Sequence, residues 1–237
     1  MKKFIFGVLL STLLLAGGMT VHAEKSNGET ENSGVGNEVT GTSDGKGATS
    51  QAHMTLMPGD GATDPTDPIV PTDPEEPGGG TGNKGPLTID NVTPLEFGEH
   101  KLAGGESIYS TTSKKPNVQV TDSRGEGKGW TLQITSSEFK DIKDSKKILK
   151  GAVLTLPIGT LQTTTGNVSE KPESKEVKLN TDKPSTENLL VAKAKAGMGT
   201  WANEFDAKAV TVKVPAGNFA GEYVSTLTWT MLDAPKA

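Results

Sequence analysis

The sequence predicts an all-β fold: a single β-sandwich or barrel-like domain preceded by a disordered acidic linker. Three observations predict it. From Pro86 onward, apolar and polar residues alternate with a period of two over short stretches rich in β-branched residues. Gly, Pro, Asn and Asp punctuate these stretches, and no long helical stripe of apolar residues interrupts them. Ahead of Pro86 the composition shifts to small, polar and acidic residues that offer almost nothing to bury.

The elements follow in chain order. Residues 1–23, "MKKFIFGVLLSTLLLAGGMTVHA", begin with Lys2 and Lys3, continue through an apolar run too short to span a bilayer, and end with Val21 and Ala23 at signal-peptidase spacing. They read as a secretory signal peptide removed after Ala23, the alternative being a retained N-terminal anchor. No later segment has the length of an apolar membrane span, so the mature chain is expected outside the cell and not membrane-spanning. Residues 24–85 carry 11 acidic and 3 basic residues. They run from a Gly/Ser/Thr/Asn/Glu stretch through a Thr-Asp-Pro repeat into glycines, and are expected to be a disordered spacer with an end-to-end distance of roughly 45 Å. A spacer that holds a domain clear of a surface and a merely solvated tail are both open readings. "MTLMP", from Met54, is the one apolar island in this spacer.

Residues 86–237 are expected to be one β domain of common size. "LTIDNVT" and "NVQVTDS" are its first strands, with Val118 and Val120 on one face. "WTLQIT" places Trp130, Leu132 and Ile134 on one face and Thr131, Gln133 and Thr135 on the other. "AVLTLPIG" and "AVTVKVPAG" follow, and "EYVSTLTWTML" brings Tyr223, Leu227, Trp229 and Met231 to one face. "SSEFKDIKDSKKILKG" could form one short helix, although its apolar spacing is poor. "DSRGEGKG", residues 122–129, reads as a hairpin turn in which glycine allows positive φ; Asp122 and Glu126 make an ion site the weaker alternative.

Chemistry is sparse. There is no cysteine, which removes a Cys nucleophile, a lipid-modified Cys and a Cys-based zinc site, and leaves stability to packing alone. After signal removal only His53 and His100 remain, so neither a catalytic triad nor a metal centre is indicated, and no cofactor is expected. A pair of carboxylates suited to glycoside hydrolysis is always available among so many acids and is therefore weak evidence for an enzyme. From residue 86 the net charge is only +1, so nucleic acid has no electrostatic footprint. "LPIGT", residues 156–160, has its Gly and Thr in the wrong order for a sorting signal, so no covalent wall anchor is expected.

Two segments repeat Trp-Thr-aliphatic in a chain with three tryptophans. "WTLQI" at Trp130 and "YVSTLTWTMLDAP" at Tyr223–Pro235 resemble the proximal and distal motifs of the WxL surface proteins of low-GC Gram-positive bacteria. The distal motif of that family reads approximately Tyr-x-x-x-Leu-Thr-Trp-x-Leu followed by proline. Tyr223, Leu227, Thr228, Trp229 and Pro235 match it, and Met231 replaces the usual leucine. "PLEFG" near residue 95 and the glycine before Trp130 are in the same style. The resemblance covers roughly residues 86–237. It implies a C-terminal domain that binds peptidoglycan without a covalent link, and association with other exported surface proteins. Roles of such families run from wall display to adhesion and use of complex polysaccharides.

The residues themselves leave two readings of the motif open. Trp130 and Leu132, with Tyr223, Leu227, Trp229 and Met231, either fill a core or grip a ligand. The shared apolar strand faces favour the core. Trp201, in the Gly-rich "GMGTWANEF", which reads as a loop, is the candidate exposed ligand contact. The expectation is a secreted, non-catalytic cell-wall protein. The alternative is an interaction subunit of an exported surface complex, held to the wall by a membrane-anchored partner.

Overall fold

The computed structural model describes residues 39–71, 73–76 and 78–236. The expected signal peptide and the front of the expected spacer lie outside these residues. The chain divides into two compact units, Met1–Leu56 and Met57–Ala237. In the first, β1 (Val39–Gly41) and β2 (Ala48–Ser50) form an antiparallel hairpin whose residues are all exposed. Thr42 closes its turn, since its hydroxyl accepts the Gly47 N–H at 2.8 Å.

The second unit is built from antiparallel sheets, with no helix among the described residues. The first sheet has the order β3 (Leu87–Val92), β5 (Asn117–Asp122), β13 (Gly199–Glu204), β9 (Thr160–Thr163). The second is β11 (Val177–Asn180), β8 (Val153–Leu156), β14 (Thr211–Val214), β4 (Ser107–Ser110). The third, which carries both Trp-Thr segments, is β10 (Glu173–Ser174), β12 (Thr186–Ala192), β6 (Trp130–Ser136), β16 (Leu227–Leu232). A ribbon of β7 (Lys140–Asp141) and β15 (Tyr223–Val224) completes the set. One core draws on all three sheets: Val118 and Val120 from the first, Leu154, Leu156 and Leu179 from the second, Trp130, Leu132, Ile134 and Leu190 from the third.

Several expectations are corrected by this arrangement. "DSRGEGKG" is not a hairpin turn, because β5 and β6 belong to different sheets and the segment crosses between them. Its glycines do carry positive φ, at 70° for Gly125, 61° for Gly127 and 76° for Gly129. The segment considered for a short helix is β7 with turns. The Asp141 carboxylate accepts the N–H groups of Lys143 (2.9 Å) and Asp144 (3.0 Å), a local bond that competes with helix. Those bonds, the one to Lys143 foremost, hold the Asp141 carboxyl below its ordinary range. "EYVSTLTWTML" is two strands, not one. Between β15 and β16 the chain is pinned to Ser137, whose hydroxyl accepts the Thr226 N–H at 2.8 Å and whose carbonyl accepts the Ser225 hydroxyl at 2.8 Å.

The largest difference concerns residues 57–85, which belong to the compact unit and not to a free spacer. The face of the first sheet turned away from the core is polar. On it Asp90, only 3 % exposed, accepts the Thr88 hydroxyl (2.6 Å), the Thr121 hydroxyl (2.6 Å) and the Gln119 amide (3.2 Å). Such a face must find partners if it is covered. The Thr-Asp-Pro segment supplies them. Gln119 donates to the carbonyls of Thr66 (3.0 Å) and Asp67 (3.2 Å) and accepts the Ile69 N–H at 2.7 Å. Val70 is buried at 1 % exposure, Lys84 pairs with Asp64 at 2.6 Å, and Lys114 with Asp73 at 2.7 Å. Pro65 and Pro68 hold the segment extended, so less conformational entropy is lost in laying it down.

Candidate functional site

The two motif segments are neighbours in space. β6 pairs with β16 in the register Ile134 to Trp229 and Leu132 to Met231. Residues directly opposite share a face, so the aliphatic and tryptophan side chains of both strands point to the core. Trp130, Leu132 and Ile134 are fully buried, while Leu227, Trp229 and Met231 are half-buried against the same cluster. β6 is an interior strand with β12 on its other side, and β16 is the end strand. The two indoles do not meet. Trp130 lies four residues from the partner of Trp229, roughly 13 Å along the strand.

Trp130 is held at its ring edge as well as by packing. Its indole N–H donates to the Gly197 carbonyl at 3.0 Å. Gly197 has φ 74°, and a Cβ there would overlap the Ala192 side chain and the Trp130 ring. The glycine before the motif is constrained in the same way, since a Cβ on Gly129 would overlap the Ala192 carbonyl. These close approaches need glycine for space as well as for backbone freedom.

Tyr223 stands apart from this group, on the β7–β15 ribbon. Its hydroxyl donates to the Phe219 carbonyl at 2.9 Å, and the Lys147 ammonium lies 5.9 Å from its ring centroid. Trp201, expected in an exposed loop, is a strand residue of β13 and is 5 % exposed. It is flanked by Val120 of β5 and Thr163 of β9, and its indole N–H donates to the Met198 carbonyl at 2.9 Å. At 5 % exposure and with its N–H satisfied, Trp201 is not the exposed ring that was expected.

The outward side of the motif sheet is polar. Thr228 and Thr230 of β16 are exposed, and they lie opposite Thr135 and Gln133 of β6. Thr135 bonds to Thr186 of β12 at 2.9 Å, and Gln133 donates to Asn188 at 2.8 Å. The alternating threonines of both motifs thus form hydroxyl and amide rows across three strands.

Two residues that the motif does not single out tie its halves together. Thr131, the middle residue of "WTL", donates its hydroxyl to the Ala234 carbonyl (2.9 Å) and accepts the Lys236 N–H (2.7 Å). The segment after β16, with Pro235, is thereby drawn back over β6. Arg124 grips Asp122 through two bonds of 2.9 and 2.8 Å, donates to the Gly129 carbonyl at 2.9 Å, and lies 3.9 Å from Asp233. The bonds to Asp122 raise the affinity of the guanidinium for its proton above the ordinary value. One signal could have pointed to Arg124: it is the only arginine in the chain. A forked, always-charged donor set suits a junction that lysine cannot fill.

Asp122 and Glu126, weighed as ion ligands, are engaged by Arg124 and Lys128, at 2.8 and 2.6 Å. Among the described residues no helix is long and apolar enough to cross a membrane. No curated protein and no solved structure matches the chain. The family model of the WxL domain, described as surface cell wall-binding, matches residues 43–235, which include both motif strands and the Thr-Asp-Pro segment. The chain therefore belongs to the WxL domain family of cell-surface, cell-wall-binding proteins.

Proposed function

We propose that this cell-wall protein is non-catalytic and attaches non-covalently to peptidoglycan through its larger β unit. The observation that carries this reading is the two-sidedness of the motif sheet. Its apolar residues are spent on the core, and its outward rows of Thr228, Thr230, Gln133 and Thr135 are hydroxyls and amides. Such groups both donate and accept, as glycan hydroxyls and acetamido groups require of a partner. Sedimentation with purified, protein-free peptidoglycan tests the reading. A direct binder pellets with the wall, and a chain left in the supernatant sinks the proposal.

A second reading is favoured by one observation. β16 ends its sheet, so one edge of the distal motif strand has no strand partner among the described residues. An edge strand is a template for pairing with another chain. On this reading the protein is an interaction subunit of an exported surface complex, for adhesion or polysaccharide capture, and reaches the wall through a membrane-anchored partner. The same sedimentation would then succeed only when that partner is present.

A further inference from the structure

We propose that a lysine-lined cleft beside the end of the distal motif binds an anionic group of the wall, a phosphodiester or a carboxylate; this rests on the wall-binding reading above. The cleft has a volume of about 370 Å³ and is lined by Glu173, Lys175, Val191, Lys193, Pro235 and Lys236. It lies on the outward side of the motif sheet. Glu173 of β10 is paired with Val191 of β12, and Val191 with Thr131 of β6. Val191, 4 % exposed, is its buried floor. Thr131 builds the facing wall, because its bonds to Ala234 and to the Lys236 N–H fix Pro235 between two anchored residues. Two separate parts of the chain thus meet over the middle residue of the proximal motif.

The charge of the cleft is uncompensated. Three lysines face one glutamate, an excess of two positive charges in a unit, residues 57–237, that carries 24 acidic and 20 basic residues overall. Among the described residues no ion pair engages Lys175, Lys193 or Lys236. Lys128, Lys140, Lys178 and Lys213, by contrast, each hold a carboxylate within 3.2 Å. In the other lysine-rich stretch, Lys143 to Lys150, Lys147 is shared between Asp141 and the Ala220 carbonyl. In a concavity with apolar walls, charges are screened less than on a convex surface. Ammonium groups there can donate to a tetrahedral phosphate or a planar carboxylate alike. Val191 and Pro235 between them suit the short hydrocarbon skeleton that carries such an anion.

The test titrates the full chain onto two protein-free wall preparations, one native and one stripped of phosphodiester polymers by hydrofluoric acid. Wild type is compared with the triple variant Lys175→Gln, Lys193→Gln, Lys236→Gln. A control triple, Lys101→Gln, Lys115→Gln, Lys208→Gln, makes the same charge change at exposed lysines elsewhere. The cleft variant is expected to bind about tenfold more weakly, as lost charge-assisted bonds dictate, and the control is expected to match wild type. Loss on native walls alone identifies the anion as a phosphodiester, and loss on both preparations identifies a carboxylate; either supports the cleft. Equal binding by both triples overturns the cleft and leaves wall binding standing. A wild-type chain that binds neither preparation overturns both. Should the triple variant unfold on heating below wild type, the single variants Lys193→Gln and Lys236→Gln, at exposed side chains, give the same readout.

Discussion

The proximal and distal motif strands write nearly the same words and are used differently. β6 sits between two strands, and Trp130 is fully buried with its N–H bonded to Gly197. β16 ends the sheet, and Trp229 is half-buried at the margin of the same core. The difference teaches that a repeated motif need not mean a repeated role. One copy is a central pillar. The other closes the sheet, exposes Thr228 and Thr230, and leads into the segment that walls the cleft. Position in the sheet sets the contribution of each tryptophan, and residue type alone does not.

Substitutions can break this contrast. Trp130→Ala is expected to have the largest effect, about 3–5 kcal/mol of lost stability, because it leaves both a large cavity and an unmet carbonyl. Trp229→Ala is expected to cost about 1–3 kcal/mol, in line with partial burial. Chemical unfolding of the two variants measures the gap directly. Equal losses would mean that the edge position does not matter.

Thr131→Val sharpens the comparison at the point where the motifs join. It removes both bonds to the chain after β16 and should cost about 0.5–1.5 kcal/mol, since the freed groups at Ala234 and Lys236 can turn to water. Its clearer sign would be faster proteolytic trimming beyond Leu232. A tail as resistant as wild type would show that Arg124 and packing suffice.

The smallest effect concerns the Thr-Asp-Pro segment. Asp73 titrates below its ordinary 3.8, first because Lys114 donates to it and then because the Glu75 N–H does. A carboxyl with a lowered folded value adds stability above about pH 4, and that stability is lost as pH falls through the lowered value. Lys114 is raised from 10.5, chiefly by Asp73, so its share is present below that value and is lost as pH rises past the raised one. The Lys114 amide, which donates to Glu76 at 2.7 Å, is therefore expected to exchange faster at pH 3 than at pH 7 after correction for intrinsic rates. Lys114→Ala should reduce the difference, since the pair with Asp73 is lost while the amide bond to Glu76 remains. Limited proteolysis at neutral pH should stop near Met57, and a stable core starting at Pro86 would restore the boundary that composition suggests.

How much of this was legible in the sequence depends on where each signal resides. β3, β5, β6, β8, β14 and β16 are readable because their core-facing apolar residues alternate with polar ones, even where, as in β3 and β5, the second face is covered as well. β13 is not. Its Thr200, Trp201, Ala202 and Asn203 are all buried, and the adjacent Trp201 and Ala202 break the alternation of apolar and polar residues. The place of Trp201 was lost with it. β12 hid its period behind a bulge between Asn188 and Leu190. The Thr-Asp-Pro segment reads as disordered because composition counts apolar side chains. It is held instead by backbone groups of Thr66, Asp67 and Ile69, by ion pairs of Asp64 and Asp73, and by one buried valine, a set of contacts that composition does not reveal. The motif residues read as a set. Their division into buried, marginal and outlying members depends on sheet order, which spacing alone does not encode.

We propose that the motif tryptophans support the fold while the wall is met on the outward side of the same sheet. The most direct measurement is sedimentation of Trp229→Ala with protein-free peptidoglycan, at a temperature where circular dichroism shows the variant folded. Wild-type binding by the folded variant is expected, with loss of binding only along its unfolding curve. Abolished binding by a fully folded Trp229→Ala chain would contradict it and make that ring a ligand contact.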